Sequence, residues 1–290
     1  MATSAIEAID ADTQLTADLF AYAQSLGADL VGVADATDFD ETEPAKRPRS
    51  NMPEARTVFV FICRIPFGAA TPHVGGPYLQ SGYYGLEAYI NRISHRCSIW
   101  LEDHGFLAVG SPAGRDITGL RVMERGENPK IELLSSFDLR LAAVKAGLGQ
   151  IGVNNNLITG QYGSRLRIGA VVTNAPLACN TPMEYGVVPE FCKKCGFRCV
   201  KSCPAKALPG DGAVDHYRCM VIHPEQVDVT RAMRTLEKRY NGSPNQLASK
   251  MMGFTQNAPH VCARCITLCP MDSSREDRKK LLDATIGEKK

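Results

Sequence analysis

Eight of the eleven cysteines in this 290-residue chain fall into two groups toward its C-terminal end, at spacings that suit metal ligation. The first group, FCKKCGFRCVKSCP, holds Cys192, Cys195, Cys199 and Cys203. The second holds Cys219, in CMVIHP, and Cys262, Cys265 and Cys269, in VCARCITLCP. Both close on Cys-Pro, at Pro204 and Pro270. Four thiolates hold a 4Fe–4S cube, so eight suffice for two clusters, and the chemistry implied is electron transfer.

Where two clusters share such motifs, the Cys-Pro cysteine of each motif ligates the other motif's cluster. That crossing assigns one cube to Cys192, Cys195, Cys199 and Cys269, and the other to Cys203, Cys219, Cys262 and Cys265. The spacing departs from the usual run in two places. Three residues separate Cys195 from Cys199 where two are usual, and a long insert separates Cys219 from Cys262. Zinc is the competing reading, since it also takes four thiolates from short cysteine pairs. Zinc has no need of two interleaved groups that each end in Cys-Pro. A disulfide framework fits less well still, because a chain this size needs no staples and cytosolic cysteines more often bind metal or do chemistry.

Composition narrows the class. A hydrophobic fraction of 44% is ordinary for a globular chain with a full core. A formal charge of +2 gives no bulk electrostatic case for nucleic acid, which is read as an unlikely partner. No apolar run approaches the ~18 residues of a membrane span. The opening MATSAIEAIDADTQ is acidic and lacks a basic n-region and a twin-arginine pair, so the expected compartment is the cytoplasm.

The elements that must position the cysteines read as a mixed α and β domain over residues 1–180, followed by a cysteine-bearing module over 181–290. Asp12 is placed to cap a helix carrying Leu15, Leu19, Ala23 and Leu26, with Gly27 as its stop. LVGV from Leu30 and TVFVFIC from Thr57 read as strands. The stretch from Arg64 to Gly82 reads as an irregular loop. A helix from Leu86 to His104 puts Leu86, Tyr89, Ile90, Ile93, Cys97 and Trp100 on one face, so Cys97, like Cys63 in its strand, reads as core. RDITGLRVMERGENPK shows no period and reads as loops; a helix from Asp138 to Ala146 and a strand over Ile168–Val172 follow.

The second informative feature is AGLGQIGVNNNLITG. Gly147, Gly149 and Gly152 permit close backbone approach, and with Leu148, Gln150, Ile151, Asn154 and Asn155 they form a candidate cofactor-binding segment. Asn156 belongs to the same run. The formal G-x-G-x-x-G match is not a Rossmann fingerprint, because it follows a helix rather than a strand. A helix C-cap and tight turn is the competing reading.

This segment, extended through YGSRLRIGAVVTNAPL and followed by interleaved cluster motifs, resembles the superfamily of epoxyqueuosine reductases and reductive dehalogenases. Residues Tyr162–Leu177 resemble the dehalogenase branch more, and LGADLVGVAD resembles the superfamily too. The resemblance implies an α+β fold: a nitroreductase-like domain binding cobalamin base-off, then a ferredoxin-like module with two 4Fe–4S clusters. It further implies a reductase that cleaves a carbon–heteroatom bond in a small organic molecule, fed by an external low-potential donor of ferredoxin or flavodoxin type. The cofactor would carry the hard chemistry while the protein positions, excludes solvent and supplies protons.

The chain departs from both branches. Where epoxyqueuosine reductases carry an acid, Leu133 stands here, with Glu132 beside it and Asp138 farther on. The helical repeats of some relatives and the export signal of others are not seen. Tyr83 and Tyr84 are therefore candidate proton donors. Arg165 and Arg167 are candidate anion binders, of which alternation is expected to turn one inward. Glu132 is a further candidate, and His73 and Arg64 would cap the cavity. His216, His223 and His260 read as surface or supporting residues. A non-catalytic electron carrier, a reductive activator of a corrinoid protein, and flavin in place of cobalamin remain alternatives.

Overall fold

The computed structural model describes residues 11–70, 78–111, 117–124, 130–135, 137–203, 205–215, 218–219 and 263–272. Helix α1 (Ala11–Ser25) leads to strand β1 (Leu30–Asp35) and then to β2 (Thr57–Arg64). A π-helical stretch over Tyr78–Tyr84 runs into the long helix α2 (Gly85–Asp103). Next come β3 (Ala108–Ser111), β4 (Ile117–Glu124), β5 (Lys130–Ser135) and α3 (Leu139–Lys145). The short strands β6 (Gln150–Ile151) and β7 (Leu157–Ile158) form a hairpin before β8 (Leu166–Thr173). The cysteine segments carry helices of one or two turns: α4 (Glu190–Cys195), α5 (Arg198–Lys201) and α6 (Arg264–Thr267).

The central sheet has the order β1-β2-β8-β3, and every pairing in it is antiparallel. Alternation along β2 explains the layers, because successive side chains of a strand leave opposite faces. Phe59, Phe61 and Cys63 join α1 and α2 in one buried cluster, while Val58, Val60 and Ile62 join α3 in the other. Phe59 and Phe61 are fully buried, and truncating either ring would cost about 3–5 kcal/mol. Gly169 on β8 lets α2 and β2 close over it: a Cβ there would stand 2.2 Å from the Phe61 ring and 2.7 Å from Ile90.

The helices and strands expected between residues 11 and 173 are present, with bounds shifted by a few residues. Asp12 lies inside the first turn of α1 rather than capping it, and its carbonyl accepts from the Thr16 hydroxyl at 2.7 Å. The stretch expected to loop is a β4–β5 hairpin, with Arg121 opposite Glu132 and register shifts at both ends. Those irregularities, with glycine and charge along the run, hid the period-2 signal that a regular strand would display.

The α+β class holds. A ferredoxin-like module is not established: among the described residues beyond 180 there are short helices and no strand. After β8 the chain passes along β1, where Asn180 accepts from the Val33 amide at 2.8 Å and donates to its carbonyl at 2.9 Å. The edge of the sheet is thereby covered rather than left as a template for pairing.

Candidate active site and cysteine module

The glycine-rich segment is a device for close approach. Gly147 ends α3 in the left-handed region at φ +71°, and a Cβ there would meet Thr181 O at 2.7 Å. At Gly149 a Cβ would stand 2.5 Å from Ile158 O across the hairpin, and at Gly152 it would stand 2.3 Å from the Ile158 side chain. Leu148 packs against the α3-side core, and Gln150 and Ile151 pair with Ile158 and Leu157. Gly147 thus follows the helix as a C-terminal cap, whereas Gly149 and Gly152 serve close approach across the hairpin.

The hairpin loop is stitched to the cysteines. Asn154 Nδ2 donates to Cys265 O at 3.1 Å, and Asn156 Nδ2 faces Cys265 Sγ at 3.9 Å. The Val153 amide donates to the Cys192 sulfur. Asn155, left-handed at φ +57°, turns away and accepts from Arg140 Nη1 at 2.7 Å, while Asp138 holds the same guanidinium.

Cys192, Cys195, Cys199 and Cys269 form one electrostatic group. Burial pushes the Cys199 thiol up to about 11, the Val200 amide opposes this, and negative charge on Cys192, Cys195 and Cys269 adds to it. Burial likewise raises Cys192, with Cys195 and Cys269 adding to the rise and the Val153 amide opposing it. Cys203 is half-buried and accepts from the Ala207 amide at 3.3 Å; Cys219 is exposed, and Cys262 lies outside the described residues. Among the described residues, no three histidine, cysteine, aspartate or glutamate side chains are arranged to hold a single metal ion.

Beyond the expected inward residue, both arginines turn inward, because positions two apart on a strand share a face. Arg165 is 3% exposed and pairs with Asp272, three residues past Cys269, at 2.8 Å. It also donates to Ile65 O and lies over the Phe67 ring. Its role is to dock the second cysteine segment, and Ser164 adds a 3.4 Å bond to Ile266 O. Arg167 instead packs against the π-helical stretch and the start of α2, 4.0 Å from the Tyr83 ring centroid and 4.0 Å from buried Glu87.

Tyr83 and Tyr84 meet edge to face on the π-helical stretch, and Tyr78 opens that stretch. Burial raises Tyr78 to about 12; Arg167 opposes the rise, while Cys265 and Tyr83 add to it. Tyr78 and Glu87 escaped the sequence reading. Their signal was spacing: Tyr78 and Tyr83 bracket one turn, and Glu87 is the one charged residue among the buried positions of α2. Glu132 sits on the separate β4–β5 hairpin, Arg64 pairs with Asp29 at 3.2 Å, and His73, His216, His223 and His260 lie outside the described residues.

An antiparallel sheet between helical layers, with cysteine-bearing segments held against a glycine-rich hairpin, defines an α+β protein. No family model matches the chain. The tetrachloroethene reductive dehalogenase of Dehalobacter restrictus is 30% identical over 218 residues, covering 74% of this chain and 32% of that protein. The epoxyqueuosine reductase of Synechocystis sp. is 32% identical over 128 residues, 44% of this chain and 37% of that protein. The chain thus spans about a third of the length of these two relatives.

Among solved structures, an epoxyqueuosine reductase with a tRNA-Tyr epoxyqueuosine-modified stem loop matches at a TM-score of 0.56 and 17% identity, covering 89% of this chain and 65% of that one. A catabolic reductive dehalogenase in complex with 3-bromo-4-hydroxybenzoic acid matches at 0.55 and 16%, covering 94% and 38%. The chain belongs to the epoxyqueuosine reductase and reductive dehalogenase superfamily, and its α+β fold resembles the nitroreductase-like type.

The low net charge argues against nucleic acid as a partner, but a protein of this fold is seen with a tRNA stem loop, which overturns that expectation. Net charge reports the bulk field and leaves local contacts undetermined. Among the described residues no helix is long and apolar enough to cross a membrane.

Proposed function

We propose that this chain is a reductase that cleaves a carbon–heteroatom bond, with two 4Fe–4S clusters and a base-off corrinoid as its cofactors. The division proposed is residues 1–180 for the corrinoid and 181–290 for the clusters. The observation that carries the reading is the gathering of Cys192, Cys195, Cys199 and Cys269, from segments some seventy residues apart, into one group against the hairpin loop. Burial and the neighbouring sulfurs raise Cys192 and Cys199, so these two thiols ionise beside Cys195 and Cys269 only when a cation is shared among them, and iron supplies that charge. Amide donors from Val153, Val200 and Ala207 suit sulfurs that carry charge. The second set, Cys203, Cys219, Cys262 and Cys265, follows from the crossing of the motifs.

The residues present also fit a polar cofactor at the sheet end. Arg167 Nε and Ser111 Oγ are buried there with no hydrogen-bond partner among the described residues. Gly147–Asn155 would wall the corrinoid from the clusters. The corrinoid would supply a reduced cobalt centre able to break the bond.

The chain's own groups do the rest. Replacing a carbon–halogen bond by carbon–hydrogen consumes two electrons and one proton and releases halide. The electrons come from an external one-electron reductant. Tyr83, stacked under Arg167, is placed to donate the proton, with Tyr84 bracing its ring and Tyr78 behind it. Arg167 orients an anionic group, with the buried Glu87 carboxylate 4.0 Å away as its nearby opposite charge.

The test is an anaerobic assay with titanium(III) citrate as reductant, offering halogenated phenols and an epoxyqueuosine-bearing RNA stem loop separately. Halide release or loss of the epoxide supports a reductase and names its branch. A cofactor-loaded chain that turns over neither, yet passes electrons to a partner protein, supports the carrier alternative.

A further inference from the structure

Resting on the two-cluster reading, we infer that Asn156 sets the reduction potential of the cluster ligated by Cys265. Asn156 Nδ2 stands 3.9 Å from Cys265 Sγ, and three hydrogen bonds within the loop hold the residue there. The same nitrogen donates to Asn154 O at 3.0 Å, the Asn156 amide donates to Asn154 Oδ1 at 3.3 Å, and its carbonyl accepts from Gly152 at 2.9 Å. Asn154 Nδ2 fixes the other partner by donating to Cys265 O at 3.1 Å. One asparagine thus anchors the cysteine's backbone and the other presents an N–H to its sulfur.

A reduced cluster carries one more negative charge than the oxidised one, and its sulfurs share that charge. A donor aimed at a ligating sulfur stabilises the reduced form and raises the potential, more so where both groups are part-buried. The two proposed clusters differ in how the hairpin serves them. Cys192 receives the main-chain amide of Val153, which no side-chain replacement removes, whereas Cys265 receives a side chain. The Cys192 cluster is therefore an internal reference within the same molecule.

The test is an EPR-monitored redox titration of the anaerobically produced, cluster-loaded full chain, as wild type and as Asn156→Leu, Asn156→Asp and Asn156→Gln. The midpoint of one cluster should fall in Asn156→Leu, fall further in Asn156→Asp where a negative charge replaces the donor, and fall least in Asn156→Gln. The other midpoint should stay unchanged. Should one variant load poorly, the order of the remaining two against wild type still decides the matter. Unmoved midpoints, or two midpoints moving together, would overturn the assignment while leaving the reductase reading intact. Iron and sulfide analysis of the wild type separates that failure from the larger one, since a chain without clusters removes both.

Discussion

Arg165, the residue before strand β8, and Asp272, three residues past the last cysteine, form an ion pair with 3% and 6% of their side chains exposed. Nε meets Oδ2 at 2.8 Å and Nη2 meets Oδ1 at 3.3 Å, the two-point geometry that guanidinium and carboxylate favour. The pair joins the sheet to the segment holding Cys265 and Cys269, and Gly163 makes room for it, since a Cβ there would meet Asp272 N at 3.2 Å.

Breaking that pair from one side should be costly, because it strands a buried charge. Arg165→Met or Asp272→Asn is expected to destabilise by about 3–5 kcal/mol, and Arg165→Met with Asp272→Leu should recover most of the loss. Anaerobic denaturant titration of the three variants measures this. Iron content should fall in the single variants and return in the double one.

The hairpin makes its own prediction. In Gly149→Ala the new Cβ meets a backbone carbonyl at 2.5 Å, which cannot swing aside, so a loss of about 1–3 kcal/mol is expected together with reduced iron. Gly160 has nothing within 4 Å of its Cβ position, and Gly160→Ala should stay within about 0.5 kcal/mol of wild type. Thermal melts and iron assays on both compare them directly.

Two thiols should prove inert. Burial pushes Cys63 and Cys97 each up to about 12, Asp29 adding to the rise at Cys63. The folded state keeps these thiols neutral where the unfolded chain ionises them. Their contribution to stability is therefore full below about pH 9 and declines as pH rises toward 12. Peptide mapping after iodoacetamide treatment should find Cys179 alkylated and Cys63 and Cys97 spared until the protein unfolds.

Of the two tyrosines on the π-helical stretch, Tyr83 is the one against Arg167. On whichever substrate the assay identifies, Tyr83→Phe should lower turnover by about 10²-fold or more with little change in KM, while Tyr84→Phe should stay near wild type. Equal losses in both would assign the proton to neither.

The elements between residues 11 and 173 were readable from simple signals: TVFVFIC is β-branched and aromatic and forms a strand buried on both faces, and Leu86, Ile90, Ile93 and Cys97 return to one helix face. The meeting of Cys192, Cys199 and Cys269 in one buried cluster was foreshadowed by the spacing of their two motifs. Arg165 was not readable as a dock. Its partner lies 107 residues away, and nothing local distinguishes a buried ion pair from a substrate-binding arginine. Tyr78, Glu87 and Asn156, which faces the Cys265 sulfur, share that limit, since their contacts exist only once α2, β8 and the second cysteine segment meet. The β4–β5 hairpin failed for a local reason, its register shifts at both ends.

The central claim is tested most directly by EPR on protein produced anaerobically in cells supplied with cobalamin, before and after chemical reduction. The account predicts a base-off cob(II)alamin signal without nitrogen splitting, joined on reduction by the signals of two magnetically coupled 4Fe–4S clusters. A chain holding zinc in place of iron, or two clusters with flavin or no corrinoid beside them, would contradict it.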